Sequence, residues 1–378
     1  MSKKILVIPG TSIENIRKRQ TQIAIALSEY YDVYILKWNE GYNTNFFVRV
    51  KNTLKDLFKK TKVYKENGIN YAEFPFFHRP LFKIKWFNPW YMKRFIKKYD
   101  IDIVLNGVHY FFWTPDKDKV NVKHIFDIND LPSEDTGSKI EKFRYEFAKH
   151  EIDKADIITA CSKGLVEYIQ KEYGRKPIFI PNGTYLDKFS KVTKLQTDEI
   201  KRNYDMQGKF ILGYIGFIGD WIDVDFMVDF LKEFKKEKED SALLVIGNGP
   251  KVKKYREKYN SKDIIFTGGI PSNEVSKYYK VLDAGLLPSK KSLFQDLAFH
   301  TKLIDYTAAQ KMVLAAPLEE IKKLGFPNII TSELDIGRWI EKMNKIIDVG
   351  WREEWNNLVL GYDWKDIGKK FKKLINED

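Results

Sequence analysis

The fold is decided at residues 287–317, which read LPSKKSLFQDLAFHTKLIDYTAAQKMVLAAP. The segment completes a predicted strand at 283–289, opens a helix at 301–311 and continues into an apolar strand at 312–316. A strand, a crossover helix and a second strand make a βαβ unit, whose two strands are parallel. In parallel sheets of this kind, ligands bind beyond the carboxyl ends of the strands.

The same alternation of apolar strand and amphipathic helix runs along the whole chain. It opens with KKILVIPG, lapses into a polar stretch at 186–207, and restarts with KFILGYIGFIGD at 209–220, where a second domain is expected to begin. Other strands are predicted at 32–36, 101–107, 123–128, 155–162, 176–183, 241–250 and 263–269. The predicted fold class is α/β, with two doubly wound Rossmann-like domains facing across a cleft.

Composition excludes several classes of protein. The 378 residues, 43% of them apolar, suffice for two cores, and the single cysteine, Cys161, allows neither an intrachain disulfide nor a four-thiolate zinc site. No uncharged stretch approaches the roughly 20 apolar residues of a membrane-spanning helix. The start, MSKKILVIPG, has too short an apolar run for a signal peptide. We therefore expect a cytoplasmic protein, with Cys161 as a small core residue.

Positive charge is concentrated in one early segment. Residues 45–99 hold fourteen Lys or Arg against three acidic residues, which accounts for +11 of the net charge of +13, and fifteen Phe, Trp or Tyr lie among the bases. Such a mixture suits an anionic membrane surface or a stack of nucleic-acid bases, or it is a core with a solvated basic rim. Because no nucleic-acid-binding motif accompanies it, a nucleic acid is the disfavoured partner.

Glycine turns follow several predicted strands, and each would let backbone N–H groups approach a phosphate closely. They lie at Gly10, Gly107, 213–219, 247–249 and 268–269. None matches the phosphate-binding loop of kinases or the dinucleotide fingerprint of dehydrogenases, which disfavours both classes. Together the turns favour an anionic ligand, although each one alone is also ordinary punctuation at the end of a strand.

The helix that begins near residue 301 carries the chemistry of the deciding segment. Its N-terminus supplies partial positive charge and Lys302 adds a full cation, which together suit a diphosphate. Asp305 could accept hydrogen bonds from two adjacent sugar hydroxyls. In the alternative interpretation, Asp305 only complements the helix dipole and Lys302 faces solvent.

Five segments in order resemble a glycosyltransferase of the GT-B fold, in the retaining group called glycosyltransferase family 4. They are RKRQTQIAIALSEYYDVYIL, HIFDINDLPSE, ADIITACSKGLVEYIQKEYG with KPIFIPNGTYLDKF, GYIGFIGDWIDVDFMVDFL, and HTKLIDYTAAQKMVLAAP. The resemblance implies a first domain over 1–188, completed by a final helix in 360–378, and a donor-binding second domain over 189–359. Trp364, Ile367, Phe371 and Leu374 form the apolar stripe of that final helix.

The resemblance also assigns residues to a nucleotide-sugar donor. It implies that the phosphates and sugar lie beside Gly216, Phe217, Ile218 and Gly219, and that the nucleoside adjoins Asn248 and Gly249. It also implies that the base is bracketed by Gly269 and Ile270. In the same resemblance, the diphosphate is held by His300, Thr301 and Lys302, and the ribose is bound by Asp305. Lys302 and the helix N-terminus would stabilise the leaving group, so no metal is expected.

In the first domain, the resemblance implies an acceptor site. Gly10 and Arg19 would face the cleft, and Arg19 would pair with the departing phosphate. Asp127 and Asp130 would line the acceptor pocket, with Asp130 orienting the attacking hydroxyl, although helix capping is the plainer role for either aspartate.

The implied activity is transfer of a sugar, with retention, from a UDP- or GDP-linked donor to a glycan or lipid-linked acceptor, at the inner face of the membrane if the basic segment binds lipid. The sequence departs from the family where Leu297 replaces a carboxylate and Asp305 replaces a glutamate. Two alternatives therefore stay open: a non-catalytic nucleotide-sugar-binding or scaffold protein, and a nucleotide-sugar epimerase or hydrolase on the same fold.

Overall fold

The computed structural model describes residues 2–10, 19–37, 61–73, 87–107, 120–131 and 139–377. The chain divides into two compact units, one made of Met1–Asn182 with Trp364–Asp378 and the other of Gly183–Asp363. The sequence places the corresponding boundaries after residues 188 and 359, so the structural divisions lie six and four residues away.

The first unit is built on a sheet of eight strands in the order β3-β4-β2-β1-β5-β6-β7-β8. Their bounds are β1 Lys4–Ile8, β2 Asp32–Leu36, β3 Lys62–Glu66, β4 Ile69–Glu73, β5 Ile103–Asn106, β6 Lys123–Ile128, β7 Ile157–Ala160 and β8 Ile178–Phe179. All neighbours are parallel except β3 and β4. The central strand β1 is a continuous apolar run with Ile5, Leu6 and Val7 fully buried, as expected where both faces of a parallel sheet are covered.

Strands β3 and β4 form an antiparallel hairpin at one edge of this sheet. The turn is Asn67-Gly68, with φ of 49° and 82°, the left-handed backbone that a two-residue hairpin turn requires. The sequence analysis did not predict this hairpin, because its strands carry few apolar residues and fall inside the basic segment. The Asn-Gly pair between two alternating runs was the signal that could have found it.

Helices of the first unit include α1 Arg19–Leu27, α2 Phe87–Tyr99, α3 Lys139–Lys154 and α4 Lys163–Tyr173. Both ends of helix α4 are set by capping residues. The Ser162 side chain accepts a hydrogen bond from the Leu165 N–H at its start, and Gly174 ends it with a φ of 66°. Cys161, immediately before this cap, is buried in the core.

The second unit has a six-stranded parallel sheet in the order β11-β10-β9-β12-β13-β14. Its strands are β9 Phe210–Ile215, β10 Ser241–Ile246, β11 Ile264–Gly268, β12 Ala284–Leu287, β13 Met312–Ala315 and β14 Ile329–Thr331. Its helices are α5 Leu186–Ser190, α6 Lys194–Asn203, α7 Val224–Phe234, α8 Val252–Tyr259, α9 Val275–Val281, α10 Leu293–Leu297, α11 Thr301–Ala308, α12 Glu319–Leu324 and α13 Ile336–Val349. The two strands of the deciding segment, β12 and β13, are parallel neighbours joined across α11, which confirms the βαβ unit.

The chain ends in helix α14, Trp364–Asn376, which belongs to the first unit. Its buried stripe of Trp364, Ile367, Phe371 and Leu374 is the predicted apolar face. The helix packs on α1 at Gly368, where an added Cβ would lie only 2.7 Å from the Ala26 Cβ. Among the described residues, no helix has both the length and the apolar character that crossing a bilayer demands.

Candidate functional site

Three glycine turns meet at the carboxyl edge of the second sheet, after strands β9, β10 and β11. Backbone hydrogen bonds join neighbouring turns. The Gly216 N–H donates to the Ile246 carbonyl (2.9 Å), the Ile218 N–H to the Asn248 carbonyl (2.9 Å), and the Gly247 N–H to the Gly268 carbonyl (2.9 Å). The turns therefore form one backbone surface at the end of the sheet where ligands of this fold bind.

Glycine is required in this surface by close approach as well as by conformation. A Cβ on Gly247, which has a φ of 143°, would lie 1.8 Å from the Gly216 carbonyl oxygen. A Cβ on Gly249 would lie 2.0 Å from the Ile218 carbonyl oxygen. Because backbone atoms cannot yield as a flexible side chain can, each turn fits only beside a residue without a side chain.

The other residues predicted around the donor differ in their exposure. Asn248 is exposed, and its Oδ1 accepts a hydrogen bond from the Gly269 N–H (2.8 Å), so the turns after β10 and β11 are tied together. Ile270 packs partly against the core, and the Ile218 side chain is 1% exposed. Only the backbone of Ile218 lies at this surface, so its predicted contact with the sugar cannot come from the side chain.

Helix α11 begins beside the glycine turns, and its N-cap residue is His300. The His300 ring is buried, and burial lowers its pKa to about 4, assisted by the nearby Lys302 charge. Its Nε2 lies 3.0 Å from the Gln295 carbonyl oxygen, which can only accept, so Nε2 carries the proton. The neutral ring brings no charge to a diphosphate, so the charge at the helix start comes from Lys302, beside the Thr301 backbone.

Lys302 does not face open solvent. The side chain is half-buried, and its Nζ lies 5.4 Å from the centroid of the Tyr214 ring. Burial lowers the pKa of Lys302 to about 8, while the Asp305 charge acts in the opposite direction. The ammonium group is therefore mostly protonated at neutral pH and only partly exposed to water, which suits it to pair with an anion at this edge of the sheet.

Asp305 accepts a hydrogen bond from a residue that is distant in the sequence. It lies one turn after Lys302 on α11, and its Oδ1 accepts a hydrogen bond of 2.5 Å from the Thr184 hydroxyl. Tyr306, the next residue, anchors the helix by donating from its hydroxyl to the Gly213 carbonyl on β9 (2.8 Å). Asp305 and Lys302 thus stand on a helix whose placement against the glycine turns is fixed.

Exposed aromatic rings adjoin the first glycine turn. Phe217 is 55% exposed and stacks on Trp221, which is 38% exposed, with ring centroids 5.8 Å apart. Phe294 continues the group, 6.5 Å from Trp221. The Trp221 ring covers Gly219, where an added Cβ would lie 2.5 Å from the ring. Sequence reasoning did not single out Trp221 and Phe294, because exposed rings look like core residues in a sequence.

In the first unit, Arg19 and Asp127 form a buried ion pair. The Arg19 guanidinium donates from Nε and Nη2 to both Asp127 carboxylate oxygens at 2.8–3.0 Å, and from Nη1 to the Pro181 carbonyl (2.9 Å). Gln20 and Thr159 also donate to Asp127. Burial alone would lower the pKa of Arg19, but the Asp127 charge and hydrogen bonds raise it above its ordinary value.

This pair differs from the roles that the sequence implies. Asp127 is 0% exposed, so it does not line an open acceptor pocket in this structure. Arg19 is 5% exposed and its three nitrogens all donate to protein oxygens, so it does not present a group to a phosphate. A buried, hydrogen-bonded pair of this kind instead fixes the carboxyl edge of the first sheet.

Asp130 lies at the same edge and is half-buried. It accepts a hydrogen bond from the Asn129 amide (2.6 Å), whose Oδ1 in turn accepts from Asn182 (3.1 Å). Gly10 also lies there, close to Gly107: an added Cβ would be 2.7 Å from the Gly107 carbonyl oxygen. The structure therefore brings the predicted Gly10, Asp127 and Asp130 to one edge, with Asp130 the more accessible aspartate.

The basic and aromatic segment is described only in part, because 45–60 and 74–86 lie outside the described residues. Helix α2 shows the predicted combination of rings and cations. Trp90 is 45% exposed, and the Arg94 guanidinium carbon lies 5.1 Å from its ring centroid. Arg94, Lys97 and Lys98 are exposed, so this helix presents positive charge beside an accessible aromatic ring.

Two family models match the chain. The model described as Glycosyltransferase Family 4 matches residues 42–188, and the model described as Glycosyl transferases group 1 matches residues 209–348. One match lies in each structural unit apart from the few residues at the boundary, and together they account for most of the sequence.

Known relatives agree with these matches. The chain is 26% identical over 272 residues to the putative teichuronic acid biosynthesis glycosyltransferase TuaH of Bacillus subtilis, an alignment that spans 66% of each chain. Its fold is similar to that of a glycosyltransferase from Rickettsia africae, with a TM-score of 0.73 at 15% identity over the whole of both chains. It is also similar to HepE of Anabaena in complex with UDP, with a TM-score of 0.71 at 12% identity and full coverage of both chains.

Proposed function

The chain is a glycosyltransferase with the GT-B fold, and we propose that it transfers a sugar from a uridine diphosphate donor to a glycan or lipid-linked acceptor. One observation supports the donor assignment most directly. Lys302, at the N-terminus of α11, lies against the glycine turn at Gly216, and Asp305 follows one turn later. This arrangement offers a cation, backbone donors and a carboxylate in the order in which a sugar nucleotide presents phosphates and ribose.

In the proposed reaction, the bond between the sugar and the terminal phosphate of the donor breaks, and negative charge develops on the leaving diphosphate. The Lys302 ammonium and the N-terminus of α11 stabilise that charge. Because Lys302 is half-buried, its attraction for an anion is stronger than that of a fully exposed lysine. Asp305 binds the ribose hydroxyls and holds the nucleotide in register with the glycine turns.

We propose that Asp130 orients the acceptor hydroxyl, since it is the more accessible of the two aspartates at the carboxyl edge of the first sheet. In a reaction with retention, the leaving phosphate accepts the proton of that hydroxyl as the new glycosidic bond forms. Arg19 and Asp127 support the edge rather than contact substrates, because both are buried in their mutual ion pair.

The base and the acceptor class rest on relatives. HepE was crystallised with UDP, with UDP and glucose, and with UDP-glucose, which favours a uridine donor. TuaH is named for teichuronic acid biosynthesis, and WaaG, which has the same fold, is involved in lipopolysaccharide biosynthesis. These names favour a cell-surface glycan or its lipid-linked intermediate as acceptor. The exposed cations and Trp90 of α2 would then hold the enzyme at an anionic membrane surface.

Binding and turnover of nucleotide sugars test this proposal. Titration calorimetry with UDP, GDP and ADP should show binding, with UDP the tightest, and release of UDP from UDP-sugars should rise on addition of a glycan acceptor. Asp305→Ala should lower both affinity and turnover. If UDP is released equally without acceptor the enzyme is a hydrolase, and if nucleotides bind without any turnover it is a binding protein. Absence of binding to any nucleoside diphosphate would reject the donor site itself.

A further inference from the structure

Thr184 directs a buried hydroxyl at the carboxylate proposed to bind ribose. Thr184 is 6% exposed, and its hydroxyl donates to Asp305 Oδ1 at 2.5 Å. The two residues are 121 positions apart in the sequence, and both belong to the second unit. A neutral donor at this distance from an ionised acceptor makes a charge-assisted hydrogen bond, which is stronger than a bond between neutral groups.

The position of Thr184 does not depend on this side-chain bond. The Thr184 backbone N–H donates a hydrogen bond to the Tyr362 carbonyl (2.8 Å), and Thr184 forms an isolated β-bridge with Asp363. Two residues later, the Leu186 N–H donates to Asp363 Oδ2 (3.1 Å). The backbone therefore holds this segment in place, and the hydroxyl is left to act on Asp305.

The orientation of Asp305 matters because two adjacent hydroxyls can be bound only by a carboxylate with the correct rotation. An aspartate side chain on a helix surface has several rotamers, and a hydrogen bond to one oxygen selects among them. The negative charge of the same carboxylate also favours the protonated form of Lys302, which lies three residues earlier on α11.

We propose that Thr184 is a positioning residue for nucleotide recognition: its hydroxyl fixes the Asp305 carboxylate for the ribose of the donor. This inference rests on the proposed function, since it assumes that Asp305 meets a ribose. It predicts that Thr184 acts on the two ribose hydroxyls and not on the phosphates.

The test compares Thr184→Val, which keeps the shape and removes the hydroxyl, with Thr184→Ser, which keeps the hydroxyl. Thr184→Val should bind UDP roughly tenfold more weakly, as expected for loss of a hydrogen bond to a charged group, and Thr184→Ser should bind like the wild type. The ratio of wild-type affinity to Thr184→Val affinity should be the same for uridine as for UDP. 2′,3′-Dideoxy-UDP, which lacks both hydroxyls, should bind equally weakly to all three proteins.

A matched control is Thr307→Val, which removes another buried hydroxyl from α11. That hydroxyl donates to the Leu303 carbonyl and accepts from Asn328, away from Asp305, so its loss should lower thermal stability without changing the ratio between UDP and the dideoxy compound. In an Asp305→Asn background, Thr184→Val should have little further effect on binding.

The outcomes separate this inference from the proposed function. If the wild type prefers UDP to dideoxy-UDP and Thr184→Val retains that preference, the positioning role is wrong while the donor site stands. If circular dichroism shows that Thr184→Val is unfolded, the Thr184→Ser and Asp305→Asn variants provide the test instead. A Thr184→Ser variant that binds UDP as weakly as Asp305→Asn does would overturn the positioning role. A wild type that binds none of the nucleotides overturns the proposed function instead.

Discussion

The end of the Lys302 side chain lies directly against Gly216: a Cβ added to Gly216 would stand 2.9 Å from Lys302 Cε and 3.5 Å from Nζ. Gly216 has a φ of 154°, and its turn places backbone beside the ammonium group with no side chain between them. The cation and the glycine turn, which are separate features of the sequence, thus form one surface whose charge and backbone geometry suit an anion.

The first prediction concerns pH. Burial lowers the pKa of Lys302 to about 8, and a bound diphosphate favours the charged form and therefore raises that pKa. UDP affinity should be nearly constant from about pH 7 to 7.5 and then fall as pH rises through 8, by at most tenfold for each pH unit. Calorimetry across this range should show the fall in the wild type, and Lys302→Met should bind weakly and without it.

Lys311 offers a control for that experiment. Burial also lowers its pKa to about 8, but it lies just before β13, at the opposite end of that strand from the glycine surface. Lys311→Met should therefore retain the pH dependence of UDP binding. If wild-type UDP affinity did not change with pH, or if Lys302→Met kept the wild-type pH dependence of UDP affinity, Lys302 would not be the titrating group.

The second prediction concerns Gly247. Alanine at this position would put a Cβ 1.8 Å from the Gly216 carbonyl oxygen, so the two turns must separate. We expect Gly247→Ala to cost about 1–3 kcal/mol of unfolding free energy and to weaken UDP binding. Gly208→Ala is the control, since Gly208 also has a positive φ, 74°, but has open space around it. Equal UDP affinity in both variants would contradict a role for the joined turns.

Much of the strand pattern could be predicted, because each strand is a short apolar run closed by polar residues or glycine. Strands β2 and β6 have the predicted bounds, and β9, β10 and β12 begin within one residue of theirs. The β3–β4 hairpin was missed because an exposed edge needs few apolar residues. Helix α9 begins three residues later than predicted, after a turn at 271–274.

The positions of the glycine turns and of the α11 N-terminus were predictable, but the contacts of their side chains were not. Glycine turns and the α11 N-terminus follow from local sequence, so their residues could be named in advance. The Thr184 bond to Asp305 and the Arg19 pair with Asp127 join residues more than a hundred positions apart, and no local pattern encodes such contacts. The neutral state of His300 likewise depends on burial and on the Gln295 carbonyl.

The third prediction separates a structural role of Arg19 from a role at a phosphate. Removing one member of a buried ion pair leaves the other charge unpaired, so Arg19→Met should cost about 3–5 kcal/mol in chemical denaturation. Asp229→Asn, which breaks the exposed pair with Lys232, should cost under about 1 kcal/mol. An Arg19→Met variant of normal stability that loses turnover would instead place Arg19 at the leaving phosphate.

The fourth prediction concerns metal removal. In the proposed reaction, Lys302 and the N-terminus of α11 meet the charge of the leaving group, so sugar transfer should persist in EDTA at a rate close to that of the untreated enzyme. Steady-state assays with and without chelator, at pH 7, check this. Loss of activity in EDTA that Mg²⁺ or Mn²⁺ restores would show that a divalent cation performs part of the work assigned to Lys302.

The fifth prediction concerns the membrane. Each cation near an anionic bilayer contributes about 1 kcal/mol, so replacing Arg94, Lys97 and Lys98 of α2 with glutamine should lower vesicle partitioning by more than tenfold at low salt. Replacing three exposed lysines elsewhere, Lys171, Lys176 and Lys253, removes the same net charge and should have a much smaller effect. Sedimentation with phosphatidylserine vesicles measures both variants. Because attraction to a defined surface depends on where the charges lie, equal losses would mean that α2 is not the contact, and no loss in either would remove the membrane from the proposal.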